Sequence, residues 1–245
     1  MINVPIEGVV FDVDGVLFDT ERLMHQIWHE VGAEIGWPQP GQDYLEFVGN
    51  GRSIIFEKML AFYGPEFPKE DFLTTCSQTL QDHVEQFGVP LKPGAREILE
   101  FLKQKNIPIA IATSTAMRRT GKLMDLTGLS PYFSAMITGD QVTRGKPDPE
   151  IYRLACQTLG TDPARTLAVE DSRNGILSAT AAGMPTVMIP DMILPTPELE
   201  ALLCQRCESL CELQNILCSL LAYDPQTKAS LANKNRHKVM FPFTL

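Results

Sequence analysis

Residues 9–19 read VVFDVDGVLFD, and they set two carboxylates, Asp12 and Asp14, two positions apart at the end of an apolar run. The run over residues 6–11 is largely apolar and β-branched and is broken by Gly15, the pattern of a buried strand that ends in a loop. In an open parallel sheet the carboxyl edge of the strands is where ligands bind, which makes the pair a candidate site. Acids beside glycine also build ordinary turns by accepting local backbone hydrogen bonds, so the pair by itself leaves both readings open.

Downstream of this strand the pattern turns helical. Residues 21–36 carry apolar side chains at helical spacing and stop at Gly36, Trp37 and Pro38. Residues 42–63 and 69–87 read as helices too, separated by the turn GPEFP at 64–68. Pro93 and Gly94 then open a helix over AREILEFLKQKN, proline being suited to a first turn. Strands are expected at 107–112, 135–138, 166–169 and 185–189, with helices to about 127, over 149–160 and over 173–182. Strand–helix alternation implies βαβ units and an α/β fold whose parallel sheet is covered on both faces. The all-helical stretch, roughly 20–90, interrupts that plan beside the two acids and is placed to cover a site.

Composition sets the outer limits. The 245 residues suffice for one large α/β domain, or a core with a smaller insert, and the hydrophobic and charged fractions of 44% and 21% are those of a globular protein. No apolar run reaches the length of a membrane span, and the N-terminus MINVPIEG does not resemble a secretory signal, so a cytoplasmic location is expected. With 21 Lys plus Arg against 30 Asp plus Glu, the net charge of −9 repels a polyphosphate backbone, and nucleic acid is not an expected partner. Six cysteines in such a chain are expected to be reduced.

Three further strand ends carry polar residues. The second runs into Thr113, Ser114 and Thr115, hydroxyls ahead of a helix N-terminus that suit a phosphate oxygen, though Ser and Thr are also ordinary helix caps. The third is followed by TRGKPDP, in which Lys146 can neutralise anionic charge, although a loop lysine is more often simply solvated. The fourth, TLAVEDS, ends in Glu170 and Asp171, an acid pair that suits a hard cation with oxygen ligands, most simply Mg²⁺. Each feature has a dull explanation alone. Acid pair, hydroxyl, lysine and acid pair at successive strand ends imply together a site for a metal and a phosphoryl group.

DVDGV, ATS, GKPDP and VEDS, in this order, resemble the four motifs of the haloacid dehalogenase superfamily over roughly residues 6–221, and the insert sits where relatives of β-phosphoglucomutase carry a small helical cap. The resemblance implies a Rossmann-like core from residues 1–19 and 90–221, an inserted α-helical bundle cap at 20–89 and a C-terminal extension at 222–245. It implies that Asp12 is the nucleophile, forming an aspartyl-phosphate, and that Asp14 protonates the leaving oxygen and then activates water. Mg²⁺ would be held by Asp12, the Asp14 carbonyl and Asp171, with Glu170 bound directly or through water. Thr113, the Ser114 N–H and Lys146 would hold the transferring oxygens. Dehalogenases in the superfamily lack an acid at the Asp14 position, which favours phosphoryl chemistry on a small phosphorylated metabolite.

Phosphatase and mutase are both open on this pattern. Thr20, Gly49, Asn50 and Arg52 fall at or beside cap and hinge positions of β-phosphoglucomutase, and His25 lies near the cap's mouth. Met24 stands where that mutase has a cap histidine, and Thr79 where it has a cap lysine, departures that favour hydrolysis. A cap-lysine chemistry on phosphonoaldehydes has no assignable lysine. A catalytically idle sensor of a phosphorylated metabolite is a third alternative, one with no need of both Asp12 and Asp14.

Cys204, Cys207, Cys211 and Cys218 begin with a CxxC spacing, but the surrounding leucines point to buried structural thiols rather than to zinc. His25 and His29 stand four apart, a metal-compatible spacing that lacks a third ligand. The tail after Asp224 is basic and ends FPFTL, and its aromatics are expected to pack on the core or on a second copy, the chain being a monomer or homodimer.

Overall fold

The computed structural model describes residues 2, 5–48, 50 and 52–222. Six strands, β1 (Gly8–Phe11), β2 (Ile109–Thr113), β3 (Ala135–Thr138), β4 (Thr166–Glu170), β5 (Thr186–Met188) and β6 (Gln205–Arg206), form one sheet in the order β3-β2-β1-β4-β5-β6. Every pairing is parallel. The chain builds outward from β1 in one direction through β2 and β3, then returns to start β4 on the other side. The carboxyl ends of β1 and β4 therefore meet where the strand order reverses, the position at which open α/β sheets bind ligands.

β1, β2 and β4 are buried along their whole length, as expected of central parallel strands covered on both faces. Their side chains alternate strictly. Val9, Phe11, Ile109, Ile111, Leu167 and Val169 enter the large apolar core, whereas Val10, Ala110, Ala112 and Ala168 join a second core on the opposite face. The alanines on that second face let a helix approach closely, and Ile151, Tyr152, Ala155 and Cys156 fill the space.

The helices are α1 (Thr20–Glu34), α2 (Gln39–Gln42), α3 (Arg52–Tyr63), α4 (Lys69–Phe87), α5 (Ala95–Gln104), α6 (Met117–Thr127), α7 (Glu150–Leu159), α8 (Arg173–Ala181), α9 (Pro197–Glu200) and α10 (Leu210–Ala222). The continuous helix expected over 42–63 is instead a 3₁₀ turn at Tyr44–Glu46 followed by α3 from Arg52. The sequence Gly-Asn-Gly at 49–51 puts three poor helix formers in that span. Pro93 lies outside α5, whose N-cap is Gly94 at φ +85°.

Between β1 and α5 lies the helical insert, in which α1 packs on α2 and α4. Its interior is aromatic. Trp28 meets Tyr44 edge-on at 5.0 Å and Phe72 at 5.1 Å, and Phe67 lies 5.4 Å from Phe72. The two chain crossings between insert and sheet are tied together, Asp19 N–H donating to the Pro90 carbonyl and Lys92 N–H to that of Leu17. Buried Lys92 and exposed Arg22 both bind Asp191 Oδ1, at 2.6 and 2.8 Å.

No disulfide is formed among the described residues, and the four C-terminal thiols differ in exposure: Cys207 is buried, Cys204 and Cys218 are half-buried, and Cys211 is exposed. Buried packing therefore holds for Cys207 and fails for Cys211. The C-terminal tail from 223 onward lies outside the described residues.

Candidate active site

Strand alternation brings the site together. Asp12 continues the even-numbered face of β1, its N–H donating to the Val169 carbonyl, and Glu170 ends the same face of β4. Lys146 reaches in from the loop after β3 and bridges them, its Nζ donating to Asp12 Oδ1 at 2.7 Å, to Glu170 Oε1 at 2.5 Å and to the Ala112 carbonyl at 2.9 Å. The lysine side chain is 4% exposed and that of Glu170 is fully buried.

Glu170 is saturated with donors. Besides Lys146, its Oε1 accepts from the Tyr152 hydroxyl at 2.6 Å, and its Oε2 accepts from the N–H groups of Asp171 and Ser172 and from the Ser172 hydroxyl. Tyr152 grips both ends of this ion pair, since its ring also lies 5.0 Å from Lys146 Nζ. The backbone comes close to the acids as well. At Gly175 an added Cβ would sit 1.8 Å from Glu170 Oε1, and at Gly15, where φ is +79°, it would sit 2.1 Å from Asp171 Oδ2. Gly175→Ala is expected to cost about 1–3 kcal/mol, because Glu170 is pinned by its donors and cannot yield. A thermal melt beside wild type checks this, and an unchanged midpoint would mean the carboxylate moves freely.

Asp14 is held differently. The Thr20 hydroxyl donates to its Oδ1 and the Thr115 hydroxyl to its Oδ2, both at 2.8 Å, so one insert residue and one core residue orient the same carboxylate. Thr113 is buried at the end of β2, where its Oγ1 accepts from the Thr115 N–H at 3.1 Å, and Ser114 is exposed on the cavity wall. The cavity above these groups measures about 360 Å³ and is lined by Asp12, Asp14, Thr113, Ser114, Lys146 and Asp171 from the sheet side, and by Thr20, Glu21, Met24 and Asn50 from the insert.

Asp12, Glu170 and Asp171 each offer an oxygen within 4.8 Å of the others, the one metal-compatible cluster among the described residues. Three carboxylates face one ammonium. Burial pushes the Asp12 carboxyl up to about 8, with Glu170 and Asp14 adding to the rise and Lys146 opposing it. Burial and the negative charges of Glu170 and Asp12 hold Asp171, recessed in the cavity floor, well above the usual carboxylate range. Such a set is short of positive charge, and its all-oxygen donors fit a hard divalent cation.

Other expected site residues fall elsewhere. His25 does not line the cavity; its ring stacks on Tyr44 and its Nε2 lies 3.1 Å from the Gly41 carbonyl. His29 lies 4.9 Å from it ring to ring, with no third ligand among the described residues. Asn50 reaches the cavity, but its amide Nδ2 is spent on the carbonyls of Glu46, Phe47 and Val48. Arg52 lines an adjoining cavity in the insert, its guanidinium 5.1 Å from the Phe56 ring. Gly49 lies outside the described residues. Sequence reasoning did not single out Tyr152, Glu21 or the grip of Thr115 on Asp14. A tyrosine on the buried face of a helix is ordinarily core, and nothing in its spacing marks this one.

A parallel sheet with this strand order, acids at its reversal point and a helical insert over them defines a Rossmann-like α/β protein with an acidic site at its switch point. The haloacid dehalogenase-like hydrolase family model matches residues 6–183, and the chain belongs to that family, in its phosphatase and β-phosphoglucomutase-like branch. It is 35% identical over 189 residues, 74% of this chain and 84% of the relative, to a phosphorylated carbohydrates phosphatase of Thermotoga maritima. A phosphoglycolate phosphatase of Thiobacillus denitrificans is 31% identical over 190 residues, 76% of this chain and 84% of that protein. A crystal structure from Thermotoga maritima, provisionally named a β-phosphoglucomutase, superposes with a TM-score of 0.73 at 30% identity, over 87% of this chain and 99% of that one. Among the described residues no helix is long and apolar enough to cross a membrane.

Proposed function

We propose that the protein is a Mg²⁺-dependent phosphatase that hydrolyses a small phosphorylated metabolite of the phosphosugar type through an aspartyl-phosphate. The observation that carries this reading is the buried Asp12–Lys146–Glu170 bridge with Asp171 beside it at the floor of the cavity. The names of the relatives support a phosphate ester as substrate, and the first of them supports a carbohydrate.

In this reading a carboxylate oxygen of Asp12 attacks phosphorus in line, a new O–P bond forms as the ester O–P bond breaks, and the leaving oxygen takes its proton from Asp14. Asp14 then accepts a proton from water as the water attacks the aspartyl-phosphate, and inorganic phosphate leaves. The grip of Thr20 and Thr115 on both Asp14 oxygens fits a group that must stay oriented through two proton transfers. Thr113 and the Ser114 N–H hold the non-bridging oxygens, and Lys146, its three N–H groups spent on Asp12, Glu170 and the Ala112 carbonyl, offsets their charge. Mg²⁺ bound by Asp12, the Asp14 carbonyl and Asp171 would offset the repulsion between anionic nucleophile and anionic ester. Glu170, with its oxygens already filled, serves better as the anchor of Lys146 than as a direct ligand.

We assign residues 1–19 and 90–221 to the catalytic core, 20–89 to a cap and 222–245 to an extension. The paired crossings at Asp19 and Lys92 support that division. The net charge of −9 supports a small-molecule substrate over nucleic acid, and six cysteines with no disulfide among the described residues support a cytoplasmic location. A monomer or homodimer is in keeping with this reading.

The test is release of inorganic phosphate from a panel of phosphorylated metabolites with Mg²⁺ and with EDTA. Release that requires the metal is expected, together with a higher melting temperature in Mg²⁺ than in EDTA. Isomerisation of a hexose 1-phosphate without release would make the enzyme a mutase. Silence across the panel would favour a phosphometabolite-binding protein.

A further inference from the structure

We propose that Glu21 selects the leaving group: it accepts a hydrogen bond from a hydroxyl of a phosphate monoester whose leaving alcohol is uncharged and hydroxylated, and turns away phosphorylated acids and pyrophosphate. The proposal rests on the phosphatase reading and names the substrate class that this site takes.

Glu21 occupies the first turn of α1, one residue after Thr20, whose hydroxyl binds Asp14. That places it beside the group assigned to protonate the leaving oxygen. It lines both the catalytic cavity and the adjoining cavity of about 260 Å³ inside the insert, so it stands at the neck between them. One carboxylate oxygen is already used, the Tyr44 hydroxyl donating to Oε2 at 2.7 Å. Tyr44 is itself clamped, with Trp28 edge-on at 5.0 Å and His25 stacked at 5.1 Å, and it is 4% exposed. The carboxylate is thereby fixed in direction, and among the described residues no hydrogen bond is made to its Oε1.

The rest of the neck offers a hydroxyl little. Met24 and Val48 border both cavities, and Trp28 and Phe47 wall the inner one, while the Asn50 amide nitrogen is spent on backbone carbonyls. A ligand hydroxyl arriving there gains from Glu21 and loses little else. An anionic leaving group meets the opposite balance, because its own carboxylate or phosphate would face that of Glu21 in the same neck. The guanidiniums bordering these cavities, Arg119 and Arg52, belong to exposed residues, where water and salt screen them. Glu21 is half-buried on the cavity wall, so a ligand that fills the neck without donating to it displaces water from Oε1 and leaves that acceptor unpaired.

The test compares kcat/KM with Mg²⁺ for wild type, Glu21→Gln and Glu21→Met. The substrates are a hexose monophosphate, a glycerol phosphate, phosphoglycolate, pyrophosphate and p-nitrophenyl phosphate, and a thermal melt of each variant verifies folding. Wild type is expected to favour the hydroxylated esters over phosphoglycolate and pyrophosphate. Glu21→Met is expected to lower the ratio of hexose monophosphate to p-nitrophenyl phosphate by about 10- to 100-fold, the range of a charge-assisted hydrogen bond. Glu21→Gln keeps an acceptor and removes the charge, and is expected to raise the ratio of phosphoglycolate to hexose monophosphate at least about tenfold. Ratios unchanged in both variants, or a wild-type preference for phosphoglycolate or pyrophosphate, would overturn the role of Glu21 and leave the phosphatase reading standing. No release from any ester, p-nitrophenyl phosphate included, would bring down that reading and this one with it.

Discussion

Asp12→Asn is expected to abolish phosphate release, by on the order of a millionfold, as deletion of a covalent nucleophile does. The amide is nearly isosteric but cannot form a stable aspartyl-phosphate, so incubation with a labelled ester should leave no hydroxylamine-sensitive label on the variant. Stability should move the other way. In the metal-free protein Asp12 is a buried carboxyl raised from an ordinary value of 3.8 to about 8, with desolvation the main cause. A group whose folded-state proton affinity is raised contributes stability that is present below its unfolded value and lost as pH rises through the folded one. The metal-free wild type should therefore lose stability from about pH 4 to about pH 8 through this group, and Asp12→Asn should flatten that decline. Residual turnover within tenfold of wild type would remove Asp12 from the nucleophile's role.

Lys146→Met is expected to cost both the fold and the chemistry. Removing one partner of a buried ion pair typically costs about 3–5 kcal/mol, because the remaining charge is left uncompensated. Here two carboxylates lose their common donor, and Glu170 keeps only Tyr152, Ser172 and two backbone N–H groups. The neighbouring charges of Asp12 and Glu170 raise the Lys146 ammonium against the opposing effect of burial, so it stays charged through neutral pH and its stabilisation is present across that range. Denaturant melts at neutral pH should show the loss in full, with phosphate release falling in parallel. A Met variant as stable as wild type would mean that water or a bound cation had replaced the ammonium. Glu170→Gln separates the two effects, since it leaves Lys146 with Asp12 and tests the anchor alone.

Much of the scaffold was legible before any coordinates. The strands at β1, β2 and β4 are short runs of β-branched and small apolar residues bounded by turn formers, and burial on both faces leaves such runs few alternatives. Helices α4, α7 and α8 were found to within a residue or so, because capping signals flank a periodic apolar face. The span 42–63 failed where local pattern is weakest: its apolar residues suit a helix, while three consecutive poor helix formers break it. His25 failed for another reason. Its helix was correct, but the way α1 packs on α2 turns the ring toward the Gly41 carbonyl rather than toward the cavity.

The sequence by itself determined the alternating α/β plan, the helical interruption after the first strand, and the chemical types that stand at four strand ends. Those are local properties, set by side-chain period and by the residues that stop a strand. The tertiary structure decided which of these groups share a charge. Tyr152, fixed on α7 by ordinary core packing, lies against Glu170 and Lys146 because the alanines of the second sheet face let that helix come close. Glu21 aims its free oxygen at the neck of the cavity because Tyr44, 23 residues away, is held by the aromatic interior of the insert. Neither contact has a period or a motif. Each is a meeting of separate segments, and only the packing of the whole chain sets that distance.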